Sequence, residues 1–269
     1  MNFEEHAAKP QLARHGIAVP RGALAKTPGE AADAAARIGA CVVKAQVPAG
    51  KRGKAGGIRL AGTPAEARTH AAAILGMDIG GHRVESVLIE EQVPIARELY
   101  AAVLNDTSGK GPLVMLSTEG GMDIEEIAQA APGKLRRQLV DIRRGFTRAD
   151  ALALARGLGL GTAEETVAGA LAGLYAAYVA LDAELLEVNP LALTADGRLV
   201  ALDCKLVMDD SALPRQSEAA STGTPDRLTG LEARARAAGL KYIDLDGEVG
   251  VLANGAGLTM TTMDVVRHH

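Results

Sequence analysis

Apolar and polar positions along this chain switch between a period of two and a period near 3.6, and the switches mark its elements. "CVVKAQV" (41–47), "GIRLAG" (57–62), "RVESVLIEEQV" (83–93), "RELYAAVLND" (97–106) and "GPLVMLST" (111–118) read as strands rich in Val, Ile and Leu. "TPGEAADAAARIGA" (27–40) and "TPAEARTHAAAILG" (63–76) read as helices. Each opens on a Thr cap with Pro at the first position and an early Glu, and the two close at Gly39 and Gly76. Asn2 with Glu5 fits a helix-start cap, and the helix it opens runs towards His15 and ends at Gly16. Pro10 falls inside it, where proline costs ~3 kcal/mol outside the first turn, so a kink or a late start is expected. Downstream, "STEGGMDIEEIAQAA" (117–131) starts a helix after two glycines, and residues 148–160 and 163–181 give two more. "AELLEVNPLALTADGRLVALDCKL" (183–206) is a hairpin, and the polar stretch 208–230 reads as a linker. Residues 231–266 then read as helix, short strand, strand, glycine-rich turn and helix, the opening of an α/β nucleotide-type domain. The first part of the chain thus alternates strands with helices, a mixed α/β arrangement.

Composition narrows the function classes. A length of 269 residues allows roughly two domains. Aromatics are only 2% and Trp is absent, so the core is aliphatic and base-stacking readers of single-stranded nucleic acid are disfavoured. A net charge of −4 also argues against a nucleic-acid partner, so any phosphate chemistry has to be local. Cys41 and Cys204 each sit in an apolar strand-like run and read as buried thiols, which fits a reducing cytoplasm. The N-terminus has no signal-peptide pattern. The apolar run Thr166–Leu181 is shorter than the ~20 residues that span a bilayer, so it reads as a core helix and no membrane role is expected. The histidines are scattered, and His268 and His269 receive no role.

The stretch 42–62, "VVKAQVPAGKRGKAGGIRLAG", carries local positive charge on a flexible frame. Lys44, Lys51, Arg52 and Lys54 supply cations, while Gly50, Gly53, Gly56 and Gly57 permit positive φ and close backbone approach. It is not a P-loop: aligned on Gly53 and Lys54, that motif needs glycine where Pro48 stands and a hydroxyl where Ala55 stands. The continuation is strand-like, so a helix N-terminus is not available to hold the anion. Such a loop between strands can fold down over a nucleotide's phosphates, and a solvated basic hairpin has the same composition.

The second hairpin is its acidic counterpart. With a three-residue turn at Ala195, Asp196 and left-handed Gly197, Asn189 faces Asp203 and Glu187 faces Lys205. Alternation puts these four on one face with Leu191 and Leu193, and Leu186, Val188, Leu202, Cys204 and Leu206 on the other. A carboxylate and an amide oxygen at cross-strand distance, ~5 Å between β-carbons, suit a hard cation such as Mg²⁺, which takes one or two carboxylates and completes its shell with phosphate and water oxygens. A hairpin with an ordinary polar solvent face fits the same residues.

Together these motifs resemble the β subunit of succinate–CoA ligase. "VVKAQVPAGKRGKAGG" resembles the family's VKxQVxAGxRGKAGG, and "STEGGMDIEEIA" is similar to its STEGGxxIExxA. "LEVNPL", "ALDCK", "NGAGLTMTTMDVV" and the opening "MNFEEHAAK…LARHGI" resemble further family motifs in the same order, over essentially the whole chain. The resemblance implies a two-lobed α+β ATP-grasp fold followed by the start of a flavodoxin-like α/β CoA-ligase domain. Residues 1–20 with 94–228 would form the larger lobe, 21–93 the smaller, and 229–269 a linker with the incomplete start of the CoA-ligase domain. The family's subunit continues past this point, so the chain reads as a truncated form, inactive alone.

By the same resemblance Lys44 would contact the nucleotide phosphates, with Lys51, Arg52 and Gly53 in the closing loop. Glu90 and Val93 would lie at the hinge around adenine and ribose, and Glu98 would be a second nucleotide ligand. Asn189 and Asp203 would hold Mg²⁺, Glu187 would sit near phosphoryl transfer, and Asn254 would help bind the organic acid. The implied reaction joins succinate to CoA at the expense of ATP (or GTP), forming NDP and phosphate. It runs through a histidine on a partner α subunit that also carries the CoA site, in a heterodimer or heterotetramer. No histidine here matches that role. A malate–CoA ligase β subunit shares the chemistry with another dicarboxylate, and a non-catalytic nucleotide-binding or assembly module shares the motifs. The sequence departs from the family at Pro48 (usually His), Lys51 (usually Gly or Ala), Cys204 (usually Gly) and Pro10.

Overall fold

Alternation decides which face of each strand meets a core, and the computed structural model shows it first in β3 (Cys41–Gln46). Cys41, Val43 and Ala45 enter an aliphatic core, while Val42, Lys44 and Gln46 point the other way. The structure describes every residue except Ala131, Asp226, Arg227 and His269. Among these, Ala131 lies in the stretch read as a helix, Asp226 and Arg227 in the one read as a linker, and His269 had no role assigned. The described chain falls into two compact units, Met1–Pro225 and Asp226–His269.

The first unit holds two principal sheets. One is four-stranded and antiparallel, in the order β2 (Gly22–Ala25), β7 (Ser86–Glu91), β3 and β4 (Ile58–Ala61). Helices α2 (Pro28–Ile38) and α3 (Pro64–Ile74) cover one face of it. Both begin as the sequence predicts: Thr27 Oγ1 accepts from the Glu30 N–H and Thr63 Oγ1 from the Glu66 N–H, each at 3.2 Å. A small ribbon of β5 (Asp78–Ile79) and β6 (His82–Arg83) adjoins this core.

The other sheet has seven antiparallel strands. Its path runs β1 (Asn2–Phe3), β13 (Lys205–Met208), β11 (Ala183–Leu193), β8 (Arg97–Asp106), β9 (Gly111–Ser117) and β10 (Leu135–Leu139), with β12 (Leu199–Ala201) also on β11. Helices α1 (Glu5–Arg14), α5 (Arg148–Ala155) and α6 (Glu164–Ala180) bury its main core, including Leu12, Leu171, Leu186 and Leu206. A smaller cluster of Tyr100, Ala102 and Met115 occupies a separate patch, with Ile124 of α4 (Ile124–Ala130) packed against it.

Several expectations are corrected. Asn2 pairs with Val207 in β1, so it is no helix cap; α1 starts after Glu4, which makes no side-chain cap. The helix continues through Pro10, with Ala7, Ala8 and Leu12 packed in the main core to offset the lost bond. The helix expected over 148–160 stops at Ala155, where Gly157 and Gly159 adopt positive φ. The polar stretch 208–230 is no free linker over its first part: Arg215 and Gln216 bond Asp182, Ala212 and Ala219 are buried, and α7 (Ser217–Ala220) forms there. In the second unit α8 (Gly230–Ala237) and α9 (Ala256–His268) form, but the two strands expected between them do not. No partner strand exists among that unit's described residues, and Leu252 is 95% exposed.

The hairpin forms in the expected register, Glu187 opposite Lys205 and Leu191 opposite Ala201, with Gly197 at φ +83°. Its faces are corrected. Against β8 the register slips between Val188 and Leu191, at a cis Asn189–Pro190 peptide. Across this bulge the buried side changes, so Leu191 and Leu193 join the same core as Leu186 and Val188 instead of the polar face.

Helix α6 offers a paired test. A Cβ at Gly173 would stand 2.7 Å from the His15 carbonyl oxygen, whereas one at Gly169 meets nothing closer than 3.9 Å. Alanine gains up to ~1 kcal/mol of helix propensity at either site, but overpacking against backbone costs ~1–3 kcal/mol. Urea unfolding is expected to show Gly169→Ala at or above the wild-type midpoint and Gly173→Ala below it.

Candidate functional site

The face of the four-stranded sheet that carries Lys44 and Glu90 looks away from its own core, and α1 and the β12–β13 connection of the other sheet meet it. Lys44 pairs across the strands with Leu88, and Val42 with Glu90, so Lys44 and Glu90 are diagonal neighbours on one face. Both are buried. Helix α1 brings Glu5 and Lys9, one turn apart, to the same place.

Six charged groups meet here. Lys44 Nζ donates to Glu5 Oε1 at 2.8 Å, Glu90 Oε2 at 2.6 Å and the Leu202 carbonyl at 2.6 Å. Lys9 Nζ donates to both Glu90 oxygens at 2.6 and 2.7 Å and to the same Leu202 carbonyl at 2.9 Å, and lies 2.6 Å from Glu5 Oε1. Arg52 bridges outward from this group: Nη1 is 2.8 Å from Glu5 Oε2 and donates to the Ala45 carbonyl, and Nη2 donates to Asp203 Oδ1 at 2.6 Å. Burial alone would raise the Glu5 carboxyl, but Lys44, Lys9 and Arg52 together hold it far below the usual carboxylate range. Burial opposes the charge on Lys44 too, yet Glu5, Glu90 and Asp203 outweigh it and push its ammonium upward. Arg52 is shifted upward in the same way by Asp203 and Glu5.

A cavity of about 790 Å³ opens beside this network. The basic loop forms one wall. Its backbone is stitched by Ala45 N–H to the Gly57 carbonyl and Gly57 N–H to the Arg52 carbonyl, and a Cβ on Gly57 would stand 2.7 Å from Ile79. Of the glycines read as positive-φ candidates, Gly56 takes that conformation; the other residue to do so is Lys51, at φ +60°. Lys51 and Lys54 at the tip lie 3.8 and 3.2 Å from Asp123.

The opposite wall is the hairpin. Asn189 is held by its amide, Oδ1 accepting from the Gly121 N–H at 2.7 Å and Nδ2 donating to the Met122 carbonyl at 2.8 Å. Asp203 Oδ1 also accepts from the Cys204 N–H, and 36% of the side chain stays open. Glu187 accepts from the buried Tyr100 hydroxyl at 3.1 Å, and burial raises its carboxyl.

Nine of the residues singled out in the sequence line this one cavity: Lys44, Lys51, Arg52, Gly53, Glu90, Val93, Glu187, Asn189 and Asp203. Glu98 is not in its wall; its carboxylate lies behind Gly121, where a Cβ would come within 2.5 Å of Oε2. Asn254 belongs to the second unit and is exposed there. Sequence reasoning missed Glu5 and Lys9. The available signal was two opposite charges four residues apart on the helical stripe that also carries Ala8 and Leu12.

A family profile described as the ATP-grasp domain matches residues 2–193. The chain is 46% identical to the ADP-forming succinate–CoA ligase β subunit of Rubrobacter xylanophilus, covering 99% of this chain and 70% of that protein. It is 45% identical to the GDP-forming β subunit of Thermus thermophilus, over 99% and 71%. Among solved structures, an ATP citrate lyase from Methanothrix soehngenii superposes with TM-score 0.66 at 22% identity, covering 88% of this chain and 59% of that one. A dinucleotide-forming acetyl-coenzyme A synthetase of Ca. Korarchaeum cryptofilum gives 0.64 at 20%, over 77% and 93%. At these identities the two structures speak for the fold alone.

The shift at Glu5 gives a pH prediction. A carboxyl held low in the folded state adds stability that is complete above its unfolded value, ~4.3, and is lost as pH falls through the lower folded value. Glu5→Gln removes one partner of a buried ion pair and is expected to cost about 3 kcal/mol at pH 7. Urea unfolding is expected to show the gap between variant and wild type narrowing as the solution is acidified below the usual carboxylate range.

Proposed function

The chain belongs to the succinate–CoA ligase β-subunit family of ATP-grasp proteins, and from that premise we propose that it is the nucleotide-binding portion of an NDP-forming acid–CoA ligase. One observation carries the reading: Lys44 and Arg52 share a cavity with Asn189 and Asp203, more than a hundred residues later in the chain. Phosphate chains need cations and hard oxygen ligands within one reach, and this wall-to-wall arrangement offers both.

The donor set suits Mg²⁺. Asp203 offers a partly open carboxylate, and Asn189 an amide oxygen oriented by its two bonds to the 121–122 backbone. When bound there, the ion would offset charge on the phosphate oxygens. Lys44 grips the phosphates from β3, and the loop of Lys51, Arg52 and Gly53 closes over them while the Arg52 guanidinium stays on Glu5 and Asp203, so that positive charge surrounds the γ-phosphoryl group as it moves. In this reading Glu90 and Val93 flank the base and ribose. Glu98 supports that end from behind Gly121, and Asn254 serves the organic acid. The phosphoryl group passes to a histidine nitrogen of a partner α subunit, leaving NDP. Glu187, kept in place by Tyr100, faces that transfer. The acid is succinate and the nucleotide ATP, with GTP supported by the GDP-forming relative. No helix among the described residues is long and apolar enough to cross a membrane, and a cytoplasmic setting fits two buried free thiols.

Titration calorimetry on the full chain tests this. Wild type is expected to bind Mg·ATP with an affinity that drops when Mg²⁺ is withheld, and Asp203→Ala to lose that Mg²⁺ dependence. Unchanged Mg·ATP affinity in Asp203→Ala would remove Asp203 from the metal site. Adding an α subunit and assaying succinate against malate then reads the acid.

A further inference from the structure

All three N–H donors of Lys44 are engaged inside the protein, on Glu5, Glu90 and the Leu202 carbonyl. Lys44 can grip a phosphate only by giving up one of them. In a buried setting that release leaves a carboxylate without its cation, which is strongly unfavourable. Lys9 reaches the same partners: both oxygens of Glu90, the Leu202 carbonyl, and Glu5 Oε1. It is 3% exposed and is not among the residues lining the cavity, so it has no route of its own to a ligand there.

We propose that Lys9 is a positioning residue that takes over the acceptors of Lys44 when Lys44 turns to a nucleotide phosphate. This rests on the nucleotide reading above and adds how the site is released for binding. In the structure Lys9, Lys44 and Arg52 face Glu5, Glu90 and Asp203, three charges against three. Once Lys44 turns away, Lys9 still holds both Glu90 oxygens and the Leu202 carbonyl, and Glu5 keeps Lys9 on one oxygen and Arg52 on the other. No buried carboxylate is stranded, and the carbonyl just before Asp203 keeps a donor.

Calorimetry with Mg·ATP on the full chain decides it. Lys9→Met is expected to weaken binding on the order of tenfold to a hundredfold, and Lys9→Arg to restore most of the loss. In a Lys44→Met background, Lys9→Met is expected to add no further loss, because Lys9 acts through Lys44; a purely structural role would add its loss in both backgrounds. Wild-type affinity in Lys9→Met, or additive losses in the double variant, overturns the proposal. A wild-type chain that binds no Mg·ATP overturns the proposed function and this inference with it. If Lys9→Met does not fold, side-chain ammonium NMR on wild type decides. Adding Mg·ATP is expected to shift the Lys44 signal while the Lys9 ammonium stays protected from exchange, and loss of Lys9 protection overturns the proposal.

Discussion

Three cations and three carboxylates meet between the two sheets of the first unit, and the geometry of the site depends on their staying balanced. Isolated, any of these groups would be too costly to bury; together, each finds a partner of opposite sign. The network ties helix α1 to strands β3 and β7 through Glu5, Lys9, Lys44 and Glu90, and ties the loop after β3 to the hairpin through Arg52 and Asp203. The cavity is therefore bounded by electrostatics as much as by packing. Lys44 and Glu90 can be buried only because helix α1 brings charges to meet them.

The fold was largely legible because its signals are local. Thr27-Pro28 and Thr63-Pro64 start helices by capping chemistry that needs nothing beyond the next few residues. Gly197 sets the hairpin register in the same way. What the sequence hid depends on distant partners. Nothing in "LRRQL" (135–139) announces β10, which exists because β9 offers an edge to pair with. The strands expected after Leu240 fail for the opposite reason. Of the site, Lys44, Arg52, Asn189 and Asp203 stood out as polar residues on β-rich or glycine-rich stretches. Glu5 and Lys9 did not, because a Glu and a Lys four apart on a helix look the same whether they face water or a buried Glu90.

The hairpin shows how one irregularity changes the use of a whole element. Had alternation run unbroken, Leu191 and Leu193 would share a face with Glu187 and Asn189, and that face could not be both core and cavity wall. The slip against β8 at Asn189–Pro190 separates the two uses: Glu187 and Asn189 border the cavity on one side of it, and Leu191 and Leu193 fill the core on the other. On the facing strand the Leu202 N–H still donates to the Pro190 carbonyl, but proline has no N–H to return the bond, which leaves the Leu202 carbonyl available to two lysines.

That carbonyl has an evolutionary corollary. It is a main-chain atom, so every amino acid placed at position 202 would supply it. A comparison of side chains would register position 202 only as a half-buried apolar site, with no trace of its polar duty. The side chains that use this acceptor, Lys9 and Lys44, lie far upstream. A substitution of the Leu202 side chain would therefore leave both lysines their acceptor, although the residue touches each of them.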